Sequence, residues 1–369
     1  MQPWRAVNTF LNRCATIHCV PPGQLAQGGV PGHGWGMTPP SRRTVLRLLP
    51  ALPVLSCAMP GAVPDAAFDA AAAAELARRP DDYVNGEARA FLVRRAGAAG
   101  GLLWGTMHVG YDGATVMPRQ VRARFIKARL LLMESVYDRV PAATRRAAQD
   151  VTRLAMAMPD PAALAALGPG TLAAVRDAGV SPDAMQRLSL LGLAAQVRRR
   201  ALMSPVGLLP RSDVADVSLI GFARNADIPV QGLEPWDPVR LGYLLYPPPN
   251  GPYAAADLGR ALRQASAMVP FFAWMRARYA AGHVAQAAAG LTGWQAAPED
   301  LQRADAQRVE MFTNRNRAWI PALEAGLAGD GPLFAGCGAG HLLGRDGIVA
   351  LLRVRGWDVL PCVGDQIPA

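Results

Sequence analysis

One short element, a glycine followed three residues later by a histidine, closes two widely separated apolar runs of this chain. Residues 105–108 read Gly-Thr-Met-His and residues 338–341 read Gly-Ala-Gly-His, in a sequence with five histidines. A glycine at the end of a strand lets the backbone turn sharply or approach another group closely. Two imidazoles delivered to strand ends in this way favour a metal site or an acid/base pair, because histidines used only for packing would need no matching glycines.

The first 62 residues have the character of an extension and an export signal. Residues 1–36 are rich in Gly and Pro and contain no acidic residue, which predicts an untranslated or disordered extension, with translation starting at Met37. Residues 41–46 read Ser-Arg-Arg-Thr-Val-Leu and precede an apolar run, so residues 37–62 are predicted to be a Tat-type signal segment. The protein is therefore expected in the periplasm or otherwise exported. Cys57 is a candidate lipoprotein cysteine, through which the chain would attach to a membrane if it is lipidated.

The charge pattern argues against nucleic-acid binding. The formal net charge is +10, but five arginines precede residue 60 with no acid beside them, which leaves +5 for the rest. Those basic residues are mixed with acids along the chain and form no single basic patch, so no nucleic-acid partner is expected. Cys337 and Cys362 lie near the ends of predicted strands, and an exported protein permits either a disulfide between them or two buried thiols.

The remaining sequence predicts one α/β domain over residues 88–362, preceded by a linker or helix at 63–87. Two apolar runs flank the glycine cluster at 97–101, which predicts a β-hairpin, and short strands then alternate with helices. Residues 141–209 and 254–325 read as blocks of helices inserted between the strands. We therefore expect a small central β-sheet surrounded by helices, with helical insertions.

Two glutamates follow predicted strands in the same way as the histidines. Glu134 closes the run Leu-Leu-Leu-Met at 130–133, and Glu234 ends the run that begins at Ile228. Open α/β sheets place their sites at strand ends, so both carboxylates are predicted to lie near His108 and His341.

Taken together, these residues resemble the TraB/PrgY/GumN family over about residues 88–362. The segments that carry the resemblance are 105–110 (GTMHVG), 117–118 (MP), 131–134 (LLME), 232–234 (GLE), 315–319 (RNRAW), 338–342 (GAGHL) and 346–347 (DG). The family includes the TIKI membrane proteases, whose animal members are described as metal-dependent proteases. The resemblance implies an erythromycin-esterase-like/ChaN-like α/β fold.

The resemblance also implies a metal site made by His108, Glu134 and His341. Two neutral imidazoles and a carboxylate can hold a divalent ion such as manganese, cobalt or zinc while leaving a position open for water. Glu234 is then a candidate general base or a further ligand.

Arg315 and Asn316 are the other candidate catalytic residues. Arg315 could bind a substrate carboxylate or stabilise developing negative charge, and Asn316 could donate a hydrogen bond to the same oxygen. Purely structural roles stay open for both because they lie in a helical run: Arg315 could form a salt bridge, and Asn316 could be a solvated amide. Glu134 could likewise cap a helix or pair with an arginine, and His283 is predicted to lie in a turn between helices.

The function predicted first is an exported metal-dependent hydrolase, possibly a peptidase, that acts on a peptide or small-molecule substrate. A non-catalytic ligand- or metal-binding protein on the same fold is one alternative. A metal-free, histidine-dependent esterase-like hydrolase is another. Glu234 separates them, since hydrolysis is favoured if its carboxylate faces the same cleft as His108 and His341.

Overall fold

A computed structural model of the chain describes residues 65–107, 117–136, 139–202, 215–234, 249–295 and 308–368. The predicted extension, the Tat-type signal, Cys57 and His108 lie outside these ranges. No helix within them is long and apolar enough to cross a membrane.

Six strands and thirteen α-helices make up the described part of the chain. The strands are β1 (Ala90–Arg94), β2 (Gly101–Thr106), β3 (Leu130–Met133), β4 (Val230–Gly232), β5 (Leu333–Gly338) and β6 (Asp358–Pro361). The helices are α1 (Asp65–Arg78), α2 (Arg119–Phe125), α3 (Ala142–Met156), α4 (Pro161–Ala166), α5 (Gly168–Asp177), α6 (Pro182–Arg187), α7 (Leu190–Leu202), α8 (Ala215–Asn225), α9 (Pro252–Gln264), α10 (Met268–Ala280), α11 (Val284–Gln295), α12 (Arg315–Leu327) and α13 (Ile348–Val354).

The strands form one mixed sheet in the order β4-β3-β5-β2-β1-β6. β4, β3, β5 and β2 are parallel, whereas β1 is antiparallel to both β2 and β6. The predicted hairpin is confirmed as β1 and β2, and Gly100 in its turn has a φ of +69°, which an L side chain rarely adopts. The predicted α/β fold, with a small sheet surrounded by helices, is confirmed.

Alternating side chains of the sheet enter two different cores. On β1, Phe91 and Val93 pack on the face covered by α12 and α13, whereas Ala90 and Leu92 pack on the face covered by α2 and α8. Because successive side chains of a strand point to opposite faces, a strand covered on both faces must be apolar at nearly every position, as β1, β2, β3 and β5 are.

The helical insertions build two further apolar clusters beside the sheet. One joins α1, α10 and α11 around Phe68, Phe271 and Trp274. The other joins α3 to α7 with α9 around Leu191, Leu193 and Leu258. α1 forms the greater part of the segment 63–87, for which both a linker and a helix were predicted, and it packs along α11.

Cys337 and Cys362 are both buried, and they form no disulfide with each other. Cys337 belongs to the core on the α12 face and Cys362 to the core on the α8 face, so the sheet separates them. Burial raises the pKa of the Cys337 thiol well above its usual range, and the negative charges of Glu134 and Asp216 raise it further. The reactive thiolate is therefore scarce at neutral pH.

A reducing agent is therefore expected to leave the melting temperature unchanged. A disulfide typically contributes about 2–4 kcal/mol, so its loss would lower the melting temperature measurably. Peptides that contain Cys337 or Cys362 should also stay unmodified when the native protein is treated with iodoacetamide at pH 7.5, and become modified after unfolding in guanidinium. A melting temperature that drops in dithiothreitol would contradict this assignment.

Candidate functional site

The carboxyl ends of the parallel strands bring Glu134 and Glu234 side by side. Glu134 directly follows β3, and its backbone N–H donates to the Gly336 carbonyl of β5 at 2.9 Å. The backbone N–H of Glu234, which follows β4, donates to the Glu134 carbonyl at 3.1 Å. Both carboxylates therefore start from neighbouring positions at the same edge of the sheet, as the sequence predicted.

Arg315, the first residue of α12, joins the two glutamates. Its Nη2 donates to Glu134 Oε1 at 2.7 Å and its Nε donates to Glu234 Oε2 at 2.8 Å. Its Nη1 donates to the carbonyl of Met311, in the π-helical turn that precedes α12, at 3.2 Å. The guanidinium also lies over the Trp319 ring, 4.7 Å from the ring centroid.

The charges around Arg315 keep it protonated in a buried place. Burial lowers the pKa of the guanidinium, but the negative charges of Glu134 and Glu234 and their hydrogen bonds raise it by more, so its pKa lies above the usual value. The side chains of the three residues are 12–15% exposed. Two carboxylates against one guanidinium leave this group with a formal charge of about −1 at neutral pH.

Asn316 fixes the orientation of His341. The Asn316 Nδ2 donates to the carbonyls of His341 and Asp346, at 3.2 and 2.9 Å, so its Oδ1 must face the other way. That Oδ1 lies 2.6 Å from Nδ1 of His341. Because an amide oxygen only accepts, Nδ1 carries the proton, and the lone pair of the neutral imidazole is on Nε2.

The Nε2 of His341 points back to the charged group. It lies 3.7 Å from Glu134 Oε2 and 3.4 Å from Arg315 Nη1. The Phe312 and Trp319 rings pack against the imidazole, with centroids 4.9 and 4.4 Å away. His341 is therefore held in one tautomer and one position, in the single helical turn that follows β5.

Glu134 Oε2, which lies near His341 Nε2, also contacts the backbone just before the turn that carries His341. It accepts a hydrogen bond from the backbone N–H of Gly338, the last residue of β5, at 3.0 Å. One carboxylate of the site therefore binds both Arg315, through Oε1, and the segment that carries His341, through Oε2. This arrangement orders the site without any bound ligand.

A cavity opens beside His341 and Glu134, between the strand ends and the block of α1, α10 and α11. Most of its wall is apolar. The described residues that line it are Glu75, Arg79, Asp82, Tyr83, Thr106, Met107, Glu134, Met275, Tyr279, Val284, Ala287, Ala288, Leu291, Thr292, Arg308, Met311, Phe312, Gly338, Ala339, Gly340, His341 and Leu343.

Five of the six predicted site residues are described, and they form one connected group. Glu134 and His341 line the cavity, whereas Glu234, which binds Arg315, and Asn316, which binds His341, are not among the described residues that line it. The sequence criterion that would favour hydrolysis, a Glu234 carboxylate facing the cavity, is therefore not met. The sixth, His108, lies two residues beyond the end of β2 and outside the described residues. The roles assigned to these residues stay predictions. His283 lies in the turn between α10 and α11, as expected.

Among the cavity residues that the sequence did not reveal are Tyr279 and Thr106. Tyr279 on α10 donates its hydroxyl to the Gly105 carbonyl at 2.5 Å and thereby fixes the end of β2. Thr106, the last residue of β2, lines the cavity. A signal for Thr106 was present, because it is the polar residue that ends an otherwise apolar strand, whereas nothing local distinguishes Tyr279 from a core aromatic.

Two described side chains can serve a divalent metal ion. His341 offers the Nε2 lone pair and Glu134 offers Oε2, 3.7 Å apart at the cavity wall, and the negative formal charge of the group is compatible with a cation. Within the described ranges there is no group of three or more His, Cys, Asp or Glu residues that could hold a metal ion. His341 and Glu134 are two of the three predicted ligands, and the third, His108, lies outside the described residues.

The fold and the site define an α/β protein with a histidine–glutamate–arginine centre at the carboxyl edge of its sheet. The sequence model of the TraB/PrgY/gumN family matches residues 91–361, so the chain belongs to that family. No curated protein and no solved structure matches the chain.

Proposed function

We propose that the protein is a hydrolase whose reaction centre is formed by His341 and Glu134. The observation that carries the proposal is the Nε2 lone pair of His341, held at the cavity wall 3.7 Å from Glu134 Oε2. The Phe312 and Trp319 rings pack against the imidazole, but packing by itself requires neither an imidazole nor a carboxylate at the cavity wall. An oriented base beside a carboxylate at the wall of a cavity is one of the arrangements that hydrolyse an ester or amide.

The chain's own residues divide the work as follows. Asn316 holds the tautomer of His341 in which Nδ1 carries the proton, so the lone pair that would bind a metal ion or accept a proton is on Nε2, 3.4 Å from Arg315 Nη1. Arg315 compensates one of the two negative charges of Glu134 and Glu234 and holds the Glu134 carboxylate in place through Oε1. Glu234 supports Arg315 from the side remote from His341, which makes it a positioning group in this proposal.

A divalent ion is part of the proposal, with His341, Glu134 and His108 as the residues that would hold it. When bound, such an ion makes a water molecule acidic enough to attack near neutral pH. The second candidate is hydrolysis without a metal. It is favoured by Arg315 Nη1, which lies 3.4 Å from His341 Nε2 and brings a fixed positive charge to the centre.

The cavity wall indicates which substrates to try. Met275, Leu291, Met311 and Phe312 form an apolar surface beside the reaction centre. Burial of apolar surface is favourable by about 25 cal/mol per Å², so peptides or esters with a large apolar group next to the cleaved bond should react fastest. The predicted Tat-type signal at 37–62 would place this activity outside the cytoplasm, which sequencing of the mature N-terminus tests.

Metal content and hydrolysis test this proposal together. The purified protein, prepared without chelator, should contain about one manganese, cobalt or zinc ion per chain by elemental mass spectrometry. It should also cleave members of a panel of p-nitrophenyl esters and aminoacyl p-nitroanilides that carry leucine or phenylalanine. Glu134→Gln should lose the ion and the activity.

Glu324→Gln is the matched control for Glu134→Gln. Glu324 lies on α12 and pairs with Arg355 at the opposite side of the helix from the site, so its loss should leave both measurements unchanged. Hydrolysis that persists with no bound metal, even after chelation, would favour the metal-free reaction. Absence of hydrolysis across the panel, with metal still bound, would favour a binding protein and overturn the hydrolase.

A further inference from the structure

Thr106 lines the cavity together with Glu134 and His341, and the proposed hydrolase reaction gives it no role. It is the last residue of β2 and stands opposite Gly338 of β5 in the parallel ladder. The residue is 1% exposed, yet it lines the cavity beside Glu134 and His341. Its hydroxyl is therefore shielded from bulk water, in a residue of the wall against which a substrate would lie.

The Thr106 hydroxyl has no hydrogen-bond partner within the described structure. A hydroxyl can donate one hydrogen bond and accept two, and buried polar groups are rarely left without any. The groups next to it are satisfied: the Gly105 carbonyl accepts from Tyr279, and the Gly338 N–H donates to Glu134. An orphan hydroxyl among satisfied neighbours at a cavity wall marks a position where a ligand atom completes the bonding.

The backbone leaves Thr106 little freedom to find a partner elsewhere. The Gly105 N–H donates to the Arg89 carbonyl at 2.7 Å, and Tyr279 holds the Gly105 carbonyl from the other side. Threonine is also branched at Cβ, which restricts its χ1 angle. The hydroxyl is thus held in place before a ligand arrives, as expected of a group that orients a substrate.

We propose that the Thr106 hydroxyl hydrogen-bonds an oxygen atom bound at the reaction centre, either of the substrate or of the attacking water. This inference rests on the proposed hydrolase function and adds a substrate-orienting residue to it. A buried hydroxyl without a partner destabilises the ligand-free protein, and the bond it makes to the ligand stabilises the complex. Removal of the hydroxyl should then have opposite effects on stability and on activity.

Thr106→Val is the test, because valine keeps the shape of threonine and removes only the hydroxyl. The melting temperature of the ligand-free variant should stay the same or rise by about 1–3 °C. Its kcat/KM for a leucine p-nitroanilide or p-nitrophenyl ester should fall about tenfold or more. Thr106→Ser, which keeps the hydroxyl, should retain most of the activity.

Thr152→Val is the matched control. The Thr152 hydroxyl already donates to the Ala148 carbonyl within α3, so its loss should leave kcat/KM unchanged and not raise the melting temperature. A fall confined to kcat in Thr106→Val would assign the bound oxygen to the water, whereas a rise in KM as well would assign it to the substrate. A Thr106→Val protein that is as active as the wild type, or that melts clearly lower, would overturn the inference.

A crystal structure decides the matter if the wild-type protein hydrolyses none of the probes. In that case the hydrolase proposal fails by itself. An ordered oxygen within 3.2 Å of the Thr106 Oγ1 that also contacts His341 or Glu134, and that is missing in Thr106→Val, would still support Thr106 as a ligand-binding group. An empty position next to the hydroxyl in well-resolved electron density would overturn it.

Discussion

Replacing Arg315 with methionine is expected to lower the free energy of unfolding by about 3–5 kcal/mol, since it breaks a buried ion-pair network by removing one partner. Arg315 donates to both Glu134 and Glu234, and its loss leaves two carboxylates with like charge side by side. Thermal unfolding and urea unfolding both measure the loss.

Arg317 on the same helix supplies the control. Its guanidinium pairs with Asp346 at 2.9 Å, but its side chain is 62% exposed. Arg317→Met should therefore cost at most about 1 kcal/mol. If the loss in Arg315→Met comes from the unpaired carboxylates, Glu134→Gln and Glu234→Gln added to that variant should restore part of the stability. Equal losses in the two arginine variants would show that the Arg315 network contributes no more than a surface pair.

His341→Gln is expected to lower the rate of hydrolysis by about 10²–10⁴-fold. The change removes the Nε2 lone pair beside Glu134, whether that lone pair binds a metal or accepts a proton. It keeps much of the side-chain volume between Phe312 and Trp319, so the variant should remain folded by circular dichroism. Steady-state kinetics on the best substrate of the panel measure the effect.

His283→Gln is the matched control, because it replaces a histidine that lies outside the site. His283 is exposed in the turn between α10 and α11, and its replacement should leave the rate within about twofold. A His341→Gln protein that keeps its activity within tenfold would remove His341 from the reaction centre. In that event, the Asn316 contact would have to be read as structural.

The sequence predicted the elements of the fold better than their arrangement. The strands at 90–94 and 101–106 could be predicted because apolar runs flank a glycine cluster, and both signals are local. The sheet order could not, because it depends on which strands pair across the insertions. β5 lies between β3 and β2, although about 200 residues separate it from either in the chain.

For the candidate site, too, the sequence predicted the residues better than the contacts between them. Glu134, Glu234, Arg315, Asn316 and His341 could be selected by residue type, position and family resemblance. The sequence left open that Glu134 pairs with an arginine and that Arg315 forms a salt bridge, and both contacts are present. It could not predict that these residues pair with each other, because that depends on α12 starting beside the carboxyl edge of the sheet. The second wall of the cavity was also missed, since Met275 and Leu291 look like ordinary core residues when read along a helix.

The two glycine–histidine elements, each expected to position one imidazole, are in contact with each other at Gly105 and Ala339. A side chain at Gly105 would place its Cβ 3.0 Å from the Cα and Cβ of Ala339 and from Leu342 Cδ1, all in the segment that carries His341. The second element therefore leaves no room for a side chain at Gly105, and a larger residue in either element would require a change in the other. A chimeric protein made from two members of the family should therefore fold only when both elements come from the same member.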